Sequence, residues 1–317
     1  MTIKIVYFGT PEDSIQPLKQ LLEMGVGVEV DGVFTQPDRL AGRGRKMQAP
    51  PIKVFAEGNR IGVFQPKSLR SKEVLDQLEA IAPDVIVVAA YGQFLPEEIL
   101  RVPRFGCLNI HPSMLPKYRG PSPVASAILN GDSATGVTIM SVDQGMDSGP
   151  IVAQREERVL PKDTTLSLSH RLFVLGAQLM GEILPSYIKG ELRAEVQREE
   201  DATYSKKLAK EDGQIDWFLP ANFVERQLRA YMPWPGTFTR WEGRILKLVD
   251  AVTMPGPKIG TPGTVVSIEG NSEMPLGIVT GDGILGVVAL QLEGKPITRA
   301  ADFVAGYSRV IGEILPS

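Results

Sequence analysis

The sequence predicts an α/β domain built on an open, mostly parallel sheet, followed by a small β-barrel domain. Two observations carry the first part. Short, mainly apolar runs such as residues 3–8 and 85–90 read as strands buried on both faces, and helical patterns fill the spaces between them. A third observation carries the second part: after Gly190 the long apolar runs give way to short alternating segments punctuated by Gly and Pro.

In chain order, Ile3 to Phe8 is a buried strand closed by Gly9. Asp13 or Ser14 can cap a helix that runs to Met24, with Pro17 near its start, where a missing N–H does little harm, and Gly25 as its stop. Val28 to Thr35 is a second strand. Ser71 can cap a helix to Ile81, and Val85 to Ala90 is the next strand. Cys107 to His111 and Thr135 to Val142 follow as strands, with helices at about 122–130 and 165–189. Ligands of such sheets sit beyond the carboxyl ends of the strands. The charged stretch 190–208 reads as a linker between a domain at 1–189 and a domain at 209–317. In the second domain, Thr237–Trp241, Arg244–Val252, Gly263–Ile268, Gly277–Thr280 and Leu285–Leu292 read as five short strands, the last two joined by a turn at Gly281, Asp282 and Gly283.

Composition narrows the function. The 317 residues are 43% hydrophobic and 22% charged, which excludes wholesale disorder. A net charge of −3 gives no global field for nucleic acid, so any polyanion site must be a local patch. Two histidines and one cysteine leave little material for a Cys/His zinc site, and no metal is expected. The lone Cys107 excludes an internal disulfide and fits a reducing compartment. VIVVAA at 85–90 is far short of the ~20 apolar residues of a membrane span. The start of the chain lacks a charged-then-apolar leader, so a cytosolic protein without membrane partners is expected.

A dinucleotide site does not fit. GTPEDS, after the first strand, has one glycine where that fingerprint needs three, and no Walker A pattern occurs. Three other segments carry possible chemistry. In CLNIHPSMLPKYRGPSPV (107–124), Asn109 and His111 lie two apart on a strand and share a face at its carboxyl end. Asn offers a donor for a developing oxyanion and His an acid or base near neutrality; two satisfied structural polar groups would look the same. In SVDQGMDSGPI (141–151), Asp143 and Asp147 alternate with Gly145 and Gly149. A carboxylate near His111 would favour its charged form, whereas the spacing equally describes a turn with solvated acids. In FTQPDRLAGRGRKMQAPP (34–51), Arg39, Arg43, Arg45 and Lys46 crowd a loop that suits phosphate contacts or is a solvated face. His170 reads as a surface residue and Cys107 as packing.

The segments FGTP (8–11), VFTQPDRLAGRGRK (33–46), VFQPKSLR (63–70), VVAAYGQFLP (87–96), LNIHPSMLPKYRGPSP (108–123), GVTIMSVDQGMDSG (136–149), YSKKLAKEDGQIDW (204–217) and RAYMPWPGTF (229–238) span nearly the whole chain. Together they resemble the folate-dependent formyltransferases, and the basic loop with the C-terminal IDW and PWPG segments resembles the methionyl-tRNA formyltransferases among them. The resemblance implies a Rossmann-like formyltransferase domain and an OB-like C-terminal domain that binds tRNA. It implies transfer of a formyl group from 10-formyltetrahydrofolate to the α-amino group of methionyl-initiator tRNA, by a monomer. Asn109, His111 and Asp147 match the family's catalytic positions. Ser113, Met114, Leu115 and Pro116 match its folate-contacting loop, with Met114 where leucine is usual. Arg39, Arg43, Arg45 and Lys46 would meet tRNA phosphate. Sugar-nucleotide formyltransferases and formyltetrahydrofolate hydrolases share the fold, and the basic loop argues against them. A non-catalytic RNA-binding protein is the rival from another class, and the polar triad argues against it. From Ala209 onward ten Lys/Arg face twelve Asp/Glu, so a tRNA-facing charge there must be segregated onto one face.

Overall fold

A computed structural model describes residues 2–41, 46–254 and 260–317. The elements are, in order, β1 (Ile3–Gly9), α1 (Ile15–Glu23), β2 (Val28–Phe34), β3 (Arg39–Ala41), β4 (Lys46–Gln48), α2 (Pro51–Gly58), β5 (Val63–Phe64), α3 (Lys72–Ile81), β6 (Val85–Ala89), α4 (Glu97–Leu100), β7 (Cys107–His111), α5 (Pro123–Asn130), β8 (Ala134–Ser141), β9 (Ile151–Arg158) and α6 (Thr165–Ile188). There follow α7 (Ala221–Ala230), β10 (Thr237–Trp241), β11 (Arg244–Met254), β12 (Val265–Ser267), β13 (Leu276–Val279), β14 (Ile284–Leu292), β15 (Thr298–Arg299) and α8 (Ala300–Gly306).

The chain forms two compact units. The first takes in residues up to Pro123, Ala134–Arg158 and Ser169–Ser205; the second takes in Val124–Ser133, Val159–Leu168 and Lys206–Ser317. The boundary differs from the expectation: residues 190–205 are not a linker but part of the first unit. The reason is specific bonding that charge content hides. Thr203 accepts the Arg119 amide at 2.9 Å, and the Ser205 amide donates to the Arg119 carbonyl at 2.7 Å.

The first unit holds a seven-stranded sheet in the order β5-β2-β1-β6-β7-β8-β9. Four of its pairings are parallel, and the last two, β7 with β8 and β8 with β9, are antiparallel. Alternation sorts the apolar runs onto two faces, as a doubly covered sheet requires. Ile5, Tyr7, Val85, Val87, Leu108 and Ile110 pack in one core with Phe173, Met180 and Leu184 of α6. Val6, Phe8, Ile86, Val88 and Cys107 pack in the other with Val74 and Leu78 of α3. Most are fully buried, and each large side chain so buried contributes roughly 1.5–3 kcal/mol. Ser14 and Ser71 stand at helix starts as expected, yet neither side chain caps its helix; the Ser14 hydroxyl donates to the Pro11 carbonyl instead.

The basic segment at 39–46 was expected as a loop, and the structure corrects this. Arg39–Ala41 and Lys46–Gln48 pair as an antiparallel ribbon. The intervening Arg43 and Arg45 lie outside the described residues.

The second unit is a small OB-like barrel. Its antiparallel strands run in the order β10-β11-β14-β13-β12, with β15 added on β14. All five expected strands are present. The turn at Gly281–Gly283 joins β13 to β14, with Gly283 in the left-handed region (φ +84°) that its missing Cβ permits. Trp217, Trp241, Leu248, Val287 and Phe303 lead the core. Trp217 is the Trp of the IDW segment, and its indole N–H donates to the Thr239 hydroxyl at 3.3 Å, satisfying a buried polar atom.

Candidate active site

The carboxyl ends of β1, β2 and β6 are tied together by one backbone carbonyl, that of Tyr91. Thr10, just past β1, donates its hydroxyl to it at 2.9 Å, and Gln36, just past β2, donates its amide at 3.3 Å. The basic ribbon is anchored to the same point, because Arg39 donates to the Gln36 side-chain oxygen at 3.0 Å. Asp38 beside it is held below the ordinary carboxylate range by hydrogen bonds from Gln65 and Lys53, the Lys53 ammonium lying 3.0 Å away. The acid of this segment is thus neutralised by Lys53, and both Arg39 and Lys46 are exposed.

Next in the sheet, β7 presents the Asn-x-His pair. Asn109 sits in register with Val88 of β6 and Met140 of β8. Leu108 and Ile110 point into one core while Cys107 points into the other, so Asn109 and His111 share the Cys107 face, as their spacing predicts. Asn109 is half-buried, and its carboxamide has no hydrogen-bond partner among the described residues. It is a donor held on a strand and not consumed by the fold. Cys107 is buried against the α3 side, and burial pushes its thiol up to about 12; it packs, as expected, and is no nucleophile.

His111 is 4% exposed. Its Nε2 lies 3.0 Å from the Tyr118 carbonyl. A carbonyl only accepts, so Nε2 carries a proton and Nδ1 is the nitrogen that faces Asp147. The Nδ1 to Oδ2 distance is 3.6 Å, too long for a hydrogen bond and within reach of an ion pair. The same Oδ2 accepts the Gly120 amide at 2.8 Å.

Asp147 reaches this position through a tight reversal. β8 runs antiparallel to β7, so the loop leaving β8 starts beside Cys107, where the Val142 amide bonds the Cys107 carbonyl at 2.8 Å. Asp147 adopts φ +51°, and a Cβ at Gly149 would fall on the Ser141 carbonyl oxygen. The DxGxDxG pattern is therefore a fold requirement as well as a chemical one. Asp143, the other acid, is exposed and bonds Ser148 at 3.0 Å and the Gly145 amide at 3.0 Å; the structure does not bring it to His111.

The loop Ser113–Pro116 is pinned at its centre by Thr138 of β8. The Thr138 hydroxyl donates to the Ser113 carbonyl at 2.7 Å and accepts the Leu115 amide at 3.1 Å, and Gln154 of β9 donates to both Thr138 and Leu115. The Ser113 hydroxyl is buried and donates to the Lys117 carbonyl at 2.6 Å. Met114 lies over Gly136, where a Cβ would strike its thioether. Sequence reasoning passed over Thr138, Gln154, Tyr118 and Gln197. The buried strand position of Thr138 was a usable signal, since a buried hydroxyl must find a partner; Gln197 had none, lying in a stretch that reads as charged linker.

A strand-borne amide, a histidine at the same strand's end and an aspartate in the neighbouring loop are groups that can stabilise an oxyanion and move a proton. Residues 1–204 match the family described as "Formyl transferase", and residues 207–308 match "Formyl transferase, C-terminal domain". The chain belongs to the formyl transferase family. It is similar, more particularly, to a protein of Chloroflexus aggregans named methionyl-tRNA formyltransferase, 45% identical over 304 residues that cover 96% of this chain and 97% of the relative. The protein of that name from Myxococcus xanthus is 40% identical over 98% of this chain and 96% of its own length. Among solved structures, HypX of Aquifex aeolicus in complex with tetrahydrofolic acid matches 99% of this chain with a TM-score of 0.65 at 19% identity. This chain spans about half (49%) of HypX. WlaRD, a sugar 3N-formyl transferase, matches 93% of this chain and 100% of its own, with a TM-score of 0.65 at 19% identity. At that identity these two likenesses establish the fold.

Proposed function

We propose that this enzyme transfers a formyl group from 10-formyltetrahydrofolate to the α-amino group of methionyl-initiator tRNA. The observation that carries the reading is the unspent Asn109 carboxamide beside the His111–Asp147 pair, in a chain whose relatives of that name align over nearly its whole length. The neutral amine attacks the formyl carbon and the carbonyl electron pair moves to oxygen. Asn109 Nδ2–H and the Nδ1–H of a charged His111 stabilise that oxyanion. The Tyr118 carbonyl holds the ring by Nε2–H, so only Nδ1 can act. Asp147 takes up the proton the amine loses and returns it to the folate nitrogen as the oxyanion collapses, the carbonyl re-forms and the C–N bond to folate breaks.

The pinned loop Ser113–Pro116 would form one wall of the folate pocket, its backbone fixed by Thr138 and Gln154. Arg39 and Lys46, with Arg43 and Arg45 between them, would meet phosphate at the acceptor end. The C-terminal unit would add further tRNA contacts. The same reading takes the enzyme to be cytosolic and monomeric and to need no metal.

The test is a formylation assay with purified methionyl-initiator tRNA and 10-formyltetrahydrofolate, run beside elongator methionyl-tRNA, an amino-sugar nucleotide and no acceptor. Initiator tRNA is the expected acceptor. Preferred transfer to the sugar, or release of formate regardless of acceptor, would refute the reading.

A further inference from the structure

We propose that Gln197, locked by the buried Arg119, is a positioning residue that sets the Asp147 carboxylate against His111; the inference rests on the catalytic reading above. Asp147 is held in the left-handed region at φ +51°, a conformation that is strained for a residue with a Cβ and persists only where neighbours impose it. Two groups do so from opposite sides. The Gly120 amide takes the carboxylate at 2.8 Å. The Gln197 side-chain amide takes the backbone, donating to the Asp147 carbonyl at 2.8 Å and to the Gly149 carbonyl at 2.7 Å. One NH2 group thereby staples both sides of the reversal.

An amide side chain can be turned over, which would aim its oxygen at two carbonyls. Arg119 forbids that. Its Nε–H donates to Gln197 Oε1 at 3.0 Å, so the NH2 has to face the turn. The Arg119 side chain is 2% exposed and Gln197 is 7% exposed. Burial alone would lower the guanidinium pKa, but hydrogen bonds to Glu199 at 2.8 Å and to Tyr204 at 3.1 Å raise it above its ordinary value. Arg119 also precedes Gly120, so the residue that orients Gln197 is joined by one peptide bond to the amide that holds the carboxylate. The segment after Gly190 is in this way wired to the catalytic aspartate without touching substrate.

The experiment compares wild type with Gln197→Met and Gln197→Glu. Methionine keeps the length and loses the donors. Glutamate gains a charge partner in Arg119 but sets an oxygen against the two carbonyls. Both are expected to lower kcat by about 10- to 100-fold, the scale for small misplacement of catalytic groups, with KM for both substrates within twofold. Both should also move the ring resonances of His111 in the free enzyme. There are only two histidines, and exposed His170 is the internal control. A lower kcat with KM unchanged and His111 resonances moved in the folded variants is a split that a merely structural role does not produce. A folded variant with kcat within twofold of wild type, a changed KM, or unmoved His111 resonances would overturn the proposal. If one variant does not fold, the other decides. Should wild type formylate no acceptor, the functional reading fails by itself, while the His111 resonances still decide whether Gln197 positions Asp147.

Discussion

Replacing Thr138 by valine removes one oxygen atom and unties the loop at Ser113–Pro116. Thr138 is fully buried, and its hydroxyl serves the Ser113 carbonyl, the Leu115 amide and Gln154 at 2.7, 3.1 and 2.9 Å. Gln154 keeps its bond to the Leu115 carbonyl at 2.8 Å, so its loss is partial. The Leu115 amide and the Ser113 carbonyl are stranded, and each buried group left unsatisfied costs about 1–3 kcal/mol. Allowing for the more apolar valine methyl, the first unit should lose about 2–4 kcal/mol. Cys107 supplies the assay. It is the only cysteine, it is buried, and it lies on β7, a central strand of the same sheet. Its labelling by a thiol reagent therefore reports the population in which the unit has opened. At 1.36 kcal/mol per decade, labelling should accelerate roughly 30- to 1000-fold in Thr138→Val. An acceleration below about fivefold would show that the hydroxyl does not hold the loop, and the argument for a rigid pocket wall would fall with it.

Burial pushes the Cys107 thiol up to about 12, so the thiolate fraction of the native protein is negligible at pH 8. The native enzyme should resist a disulfide reagent at that pH and titrate one thiol in denaturant; rapid labelling of the native form would refute the packing role. Arg39→Ala and Lys46→Ala each remove an exposed cation from the ribbon. Each should weaken binding of methionyl-tRNA and flatten the dependence of log Kd on log salt by nearly one unit per lost phosphate contact. Unchanged slopes in both would make the ribbon a solvated surface. Folate affinity should be untouched, since the Ser113–Pro116 loop is a separate segment.

The sheet was legible where burial writes itself into composition. Val85–Ala89 is apolar on both faces and wholly buried; Ile3–Gly9 departs from that only at its start, where Ile3 is half-buried and Lys4 exposed, and Cys107–His111 is as deeply set but carries its polar pair on one face. β9 was not legible: its sequence IVAQREER lies on a sheet edge, where only alternate residues need be apolar. β3, β4 and β5 span two or three residues each, too few for any period to show. α2 begins at Pro51 after a second proline, which reads as a loop, although proline is well placed at a first helical position. At the site, the shared face of Asn109 and His111 follows from a period of two. The approach of Asp147 does not, because it depends on a left-handed residue and on a glutamine fifty residues further on. The family resemblance singled out Asp147 over Asp143 before geometry did, and the geometry gives the reason: Asp143 spends its oxygens on Gly145 and Ser148.

In the proposed mechanism Asn109 and His111 act on the transition state and not on binding. Single-turnover formyl transfer to methionyl-initiator tRNA, measured for Asn109→Ala and His111→Ala with folate and tRNA affinities determined in parallel, tests it most directly. The expected loss in rate is about 10²–10³ for Asn109→Ala and about 10²–10⁴ for His111→Ala, with both affinities near wild type. A folded His111→Ala enzyme that transfers formyl at close to the wild-type rate, or one whose loss lies wholly in binding, would contradict it.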